Sequence, residues 1–151
     1  MTKRKSLVSI FLTFAMLLSM IPFSSAANNK PIATETLDLG DGFTVDITTT
    51  VISTSQARAT SHSQVAQKTV TANYRGKEIG EFVLSGSFTY NGSSAKAVSD
   101  DWTAAAASGY DYDGQSSHSD ATVKGSCTFS GNGINKTVSL KITCDKDGNL
   151  S

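Results

Sequence analysis

Cysteine, proline, histidine and tryptophan are all scarce in this chain. Its 151 residues include two Cys, two Pro, two His and one Trp. Two cysteines exclude a disulfide-dense scaffold. Two isolated histidines, His62 and His118, exclude a zinc site built on histidine and cysteine spacing, which needs three or four ligands. Both lie in Ser-rich stretches and read as solvated loop residues. Neither charge is in excess, with 13 Lys+Arg against 13 Asp+Glu. There is thus no basic surplus to grip a nucleic-acid backbone, and no acidic tail. No Gly-x-Ser-x-Gly elbow occurs. The length suits one domain.

What the chain does have begins at its N-terminus. Lys3, Arg4 and Lys5 precede an apolar run from Leu7 to Phe23, and small residues, Ser24-Ser25-Ala26-Ala27, follow. A basic start, an apolar middle and a small-residue exit make a secretory signal peptide. Ser24 and Ala26 suit cleavage before Ala27, and Ser25 with Ala27 would suit a cut one residue later. A retained anchor needs about 20 apolar residues, and Ser9, Thr13, Ser19 and Pro22 interrupt this run. No cysteine follows it to carry a lipid. No later stretch is apolar enough to span a bilayer. The expected organisation is a signal peptide over 1–26, an N-terminal arm over 27–33 and one domain over 34–151. The 13 cations less the three of the signal leave 10, so the exported chain is near −3.

Beyond the arm the hydrophobic period is two, the strand period. Leu37 and Leu39 alternate with polar residues up to Gly40-Asp41-Gly42, a hairpin signal. Phe43, Val45, Ile47 and Val51 alternate next. Residues 53–67 read as a weak, mostly polar loop. Val70, Ala72 and Tyr74 share a face, Arg75-Gly76-Lys77 turns, and Ile79–Tyr90 alternates again. Asn91-Gly92 turns the chain. Residues 95–107 read as a strand despite Ala104–Ala107. A short element carries Tyr110 and Tyr112, and 115–119 read as loop. Val123, Cys127 and Phe129 share a face, and Gly131-Asn132-Gly133 leads to Val138, Leu140, Ile142 and Cys144. About seven or eight short strands with regular turns predict an all-β fold. The form expected is a single antiparallel β-sandwich, immunoglobulin-like, or a small barrel.

Gly86–Gly92 (GSFTYNG) resembles Gly125–Gly131 (GSCTFSG) at an offset of 39 residues. An equivalent hairpin in each sheet would explain the echo. If Phe129 lies opposite Val138, Cys127 lies near Leu140 and Cys144 near Val123. Four residues of offset is roughly 13 Å along a strand, past the ~7 Å Cα limit of a disulfide. Two buried free thiols are therefore expected. A bond would need a longer loop or a path to another sheet.

Candidates for chemistry are few. Asp145-x-Asp147-Gly148-Asn149 and Asp111-x-Asp113-Gly114 each resemble part of a calcium loop, but neither has its closing Glu. No metal or cofactor is expected. Asp100 and Asp101 are adjacent, and neighbouring strand residues point to opposite faces, so they do not converge on one bond. Asn91, Asn135 and Asn149 begin glycosylation sequons that a bacterial export route would leave bare. Trp102, Tyr110 and Tyr112 are the candidate ligand-binding residues, since exposed aromatics near sandwich loops stack on sugars or anchor partners. The competing reading makes Trp102 the core tryptophan.

The Leu37–Gly42 and Thr48–Thr50 stretches, the GSFTYNG hairpin and the Cys144–Ser151 ending together resemble short secreted proteins of Gram-positive gut anaerobes. That resemblance implies no activity, cofactor or site. It implies an anaerobic secretion route, which suits unpaired thiols. The expected function is a secreted, non-catalytic binding module for a cell-wall or host glycan or a protein. The alternative is a secreted antagonist, such as a bacteriocin-like toxin or an enzyme inhibitor. Nucleic acid is not an expected partner, nor is a membrane once the signal is cut.

Overall fold

The computed structural model describes residues 31–58 and 60–151. The expected signal peptide and residues 27–30 of the expected arm lie outside them. Among the described residues all eight elements are strands: β1 (Pro31–Asp38), β2 (Phe43–Arg58), β3 (Ser61–Tyr74), β4 (Lys77–Tyr90), β5 (Ala95–Ala106), β6 (Asp111–Ser119), β7 (Thr122–Gly131) and β8 (Ile134–Thr143). They form a five-stranded sheet, β1-β2-β3-β4-β5, and a three-stranded sheet, β6-β7-β8, antiparallel throughout. The fold is an all-β, sandwich-like pair of sheets and not a closed barrel. Both sheets are meanders in chain order, without the out-of-order strand of an immunoglobulin Greek key. The chain crosses between sheets at residues 107–110, where Tyr110 N donates to Ala107 O at 3.0 Å.

One alternating set of residues from each sheet makes the core. Phe43, Val45, Ala66, Val70, Phe82, Leu84 and Phe88 face Val123, Cys127, Phe129, Val138, Leu140 and Ile142. Strands β4 and β7 approach closely because each offers glycine where the other has a large side chain. A Cβ on Gly80 would lie 2.6 Å from Phe129, and one on Gly125 would lie 2.6 Å from Leu84 Cδ1. The 39-residue echo falls on the β4–β5 and β7–β8 hairpins, one in each sheet.

Five strands over three leave β1 without a facing strand, and all eight of its residues are exposed. Leu37 is 42% exposed although its alternation points it toward the core side. Lys136 bridges part of this gap, donating to Asp41 Oδ2 at 2.7 Å and Leu39 O at 3.2 Å.

Four sequence expectations need correction. Strand β1 starts at Pro31, inside the expected arm. Residues 53–67 are mostly strand, the far half of the long β2–β3 hairpin. Among the residues there whose burial is described, the buried ones are Gln64 and Ala66, so no large apolar side chain marks the period. Gln64 is satisfied by donating to Gly148 O at 2.8 Å and Cys144 Sγ at 3.2 Å. Residues 115–119 are also strand, the second half of β6. Last, the β7–β8 turn has two residues, Asn132 and Gly133, with φ of 48° and 85°. Such a turn needs positive φ at both positions, which Asn-Gly supplies. The register therefore sets Cys127 opposite Val138 and Phe129 opposite Lys136. Both cysteines are free and buried, as expected. Burial, then the charge of Asp113, pushes the Cys127 thiol up to about 11.

Candidate functional site

The sequence-selected aromatics lie around the crossing between sheets. Trp102, half-buried on β5, packs over β6, with ring atoms 2.5–2.8 Å from where a Cβ on Gly114 would stand. Its ring centroid is 6.2 Å from that of Phe82. Tyr110 is half-buried against the core. Tyr112, 45% exposed, is the most open of the three.

Beside Trp102 the structure joins residues that sequence reasoning kept apart. Asp100 faces β6, and its two oxygens meet Ser116 Oγ and His118 Nδ1. The adjacent Asp101 instead caps the Trp102 backbone N–H at 2.8 Å, so the two carboxylates do diverge. His118 is thus an inter-sheet partner, not a lone solvated loop residue, although its side chain is 39% exposed. Strand alternation puts 116 and 118 on one face of β6; the signal was missed because 115–119 read as loop. Ser116 and His118 both address the carboxylate. In a nucleophilic relay the imidazole stands between the hydroxyl and the acid. The arrangement here clasps β5 to β6.

The hydrogen bond from His118, then that from Ser116, holds the Asp100 carboxyl below the ordinary carboxylate range. A depressed folded value stabilises the fold above about pH 4, and that gain is lost as pH falls through the folded value. The stability gap between wild type and Asp100→Asn is therefore expected to be full at neutral pH and to shrink below about pH 4. Urea midpoints for both proteins across that range would show it; a gap independent of pH would count against the clasp.

At the other end of the sandwich, His62 stacks on Tyr90, with ring centroids 5.3 Å apart. The loop at Gly148 covers another part of the Tyr90 ring. Asp145 shapes that loop by accepting from the Asp147 and Asn149 backbone N–H groups at 2.8 and 2.9 Å. In the hollow there, of about 370 Å³, Lys146 already holds Asp147 at 2.6 Å.

The outer face of the three-stranded sheet is different. Alternation sends Asp111, Asp113, Gln115, Ser117 and Ser119 of β6 outward, with Thr122, Lys124, Ser126, Thr128 and Ser130 of β7 and Asn135, Thr137, Ser139, Lys141 and Thr143 of β8. The register stacks them in rows across the strands. Gln115, Ser126 and Ser139 form one row, and Ser117, Lys124 and Lys141 the next. Gln115 donates to Ser126 Oγ at 3.3 Å, and the Thr128 and Thr137 hydroxyls are 2.8 Å apart. Small side chains in the serine rows leave a shallow depression of about 480 Å³, lined by Gln115, Ser117, Lys124, Ser126, Ser139 and Lys141 among others. Sequence reading had β7 and β8 but took 115–119 as loop and set β7 against β8 in another register, so it passed these residues over. Among the described residues no three metal-ligating side chains converge.

No protein-family model, no curated protein and no solved structure matches the chain. The class that fold and surface define is an all-β, sandwich-like domain with one hydroxyl-rich sheet face.

Proposed function

We propose that the chain is an exported, non-catalytic extracellular binding module whose ligand is a cell-wall or host glycan. Export rests on the basic, apolar and small-residue segments of residues 1–26. The observation that carries the binding reading is the depression over Gln115, Ser126 and Ser139. Hydroxyls and amides both donate and accept, so such a floor matches the hydroxyls of a sugar chain lying across the strands. The Asp100 clasp and the Trp102 packing fix β6, the strand that carries one side of this floor.

A glycan array and a cell-wall pull-down with the mature protein test this reading. Binding is expected, and Ser126→Trp, which fills the depression, is expected to abolish it while the fold survives. Absence of binding in both assays would remove the reading.

A further inference from the structure

We propose that Lys124 and Lys141 make this face a receptor for an anionic polysaccharide, one bearing carboxylates or phosphates on its repeat units. The inference rests on the glycan-binding reading and names the ligand class. The two lysines are direct cross-strand partners on β7 and β8. Neighbouring strands are about 4.8 Å apart, and like charges set opposite each other destabilise a sheet. Among the described residues neither lysine forms an ion pair. Asp120 stands in the β6–β7 turn just past the Ser119–Thr122 row, and the nearest outward acid within the ladder itself, Asp113, lies two rows from Ser117. That is roughly 13 Å, beyond the ~10 Å screening length of ordinary salt. Two exposed ammonium groups, unpaired among the described residues and set beside a hydroxyl-lined depression, favour an anion placed between or across them.

The surroundings choose among anionic partners. The rows on either side, Gln115-Ser126-Ser139 and Ser119-Thr122-Thr143, are uncharged and rich in hydroxyls. They suit a ligand that is polyhydroxylated between its charges. Asp111 and Asp113 occupy the far end of the face, so an anionic chain is repelled there and favoured across the strands along the lysine row. A nucleic-acid backbone is poorly served, since its binders neutralise about 6–10 phosphates and only two cations face outward here.

The test is binding of the mature protein to polygalacturonate, to uncharged dextran and to duplex DNA. Polygalacturonate is expected to bind, dextran and DNA at least tenfold more weakly, and added NaCl to weaken the polygalacturonate complex. K124A/K141A is expected to lose at least tenfold in affinity, and K124R/K141R to retain it. The thermal midpoint of K124A/K141A should match or exceed that of wild type, because the opposed charges are gone; K124Q/K141Q provides a second uncharged pair. Dextran bound as tightly as polygalacturonate, with no effect of the lysine changes, would overturn the anionic ligand and leave a glycan surface. DNA bound as tightly as polygalacturonate would overturn it too, by showing charge alone. A protein that binds neither polysaccharide nor any arrayed glycan would overturn both readings.

Discussion

Replacing Phe129 by Ala is expected to lower the unfolding free energy by about 3–5 kcal/mol. Phe129 is fully buried, two residues before the end of β7. It fills the space that Gly80 leaves on β4, where even a Cβ would come within 2.6 Å of the ring. Strands held by backbone ladders in separate sheets have little freedom to close such a hole. A domain of this size has a total stability of about 5–15 kcal/mol, so the loss is a large share of it. The melting temperature should fall by roughly 12–20 °C. Urea unfolding with an unchanged slope is the check. A loss below about 1 kcal/mol, against the usual cost of a Phe→Ala change in a core, would mean the ring is not in the contact between the sheets.

Gly125→Ala is expected to cost about 1–3 kcal/mol by overpacking, and Leu84→Ala about 2–5 kcal/mol by cavity formation. The double variant is expected to cost less than their sum by about 1 kcal/mol or more. The reason is geometric. The atom nearest a Cβ on Gly125 is Leu84 Cδ1, at 2.6 Å, and the nearest backbone atom, Gln115 O, is at 3.2 Å. Trimming Leu84 therefore makes room for the new methyl. Gly80 behaves differently, because a Cβ there also meets the backbone oxygen of Ala105 at 2.6 Å. Trimming Phe129 does not restore Gly80→Ala. A double-mutant cycle at each position distinguishes the two, and strict additivity at 84 and 125 would contradict the packing of β4 on β7.

These glycines also show what the sequence could and could not convey. Strands with one apolar face were legible, because Phe43-Val45-Ile47 and Phe82-Leu84 write the period in large side chains. Inward positions filled by Gln64, Gly114, Ser116 and His118 hid the rest. Each is small or polar because a specific partner faces it: Gly148 O for Gln64, the Trp102 ring for Gly114, Asp100 for Ser116 and His118. Those partners are distant in sequence or belong to the other sheet, so no local pattern announces them. The Asn132-Gly133 turn was partly legible. Counting Phe129 opposite Val138 rather than Lys136 displaced the register by two residues and misplaced the cysteine neighbours. The same count obscured the Lys124–Lys141 opposition, which exists only in the true register. Trp102, Tyr110 and Tyr112 were selected for being aromatic, but two of the three are half-buried against the core.

The location of the ligand surface is tested most directly by backbone amide NMR of the mature protein titrated with polygalacturonate. Shifts are expected to cluster at Gln115–Ser117, Lys124–Ser126 and Ser139–Lys141, with the five-stranded sheet unmoved. Shifts centred on Trp102 and Tyr112, or on the His62–Tyr90 end, would contradict it.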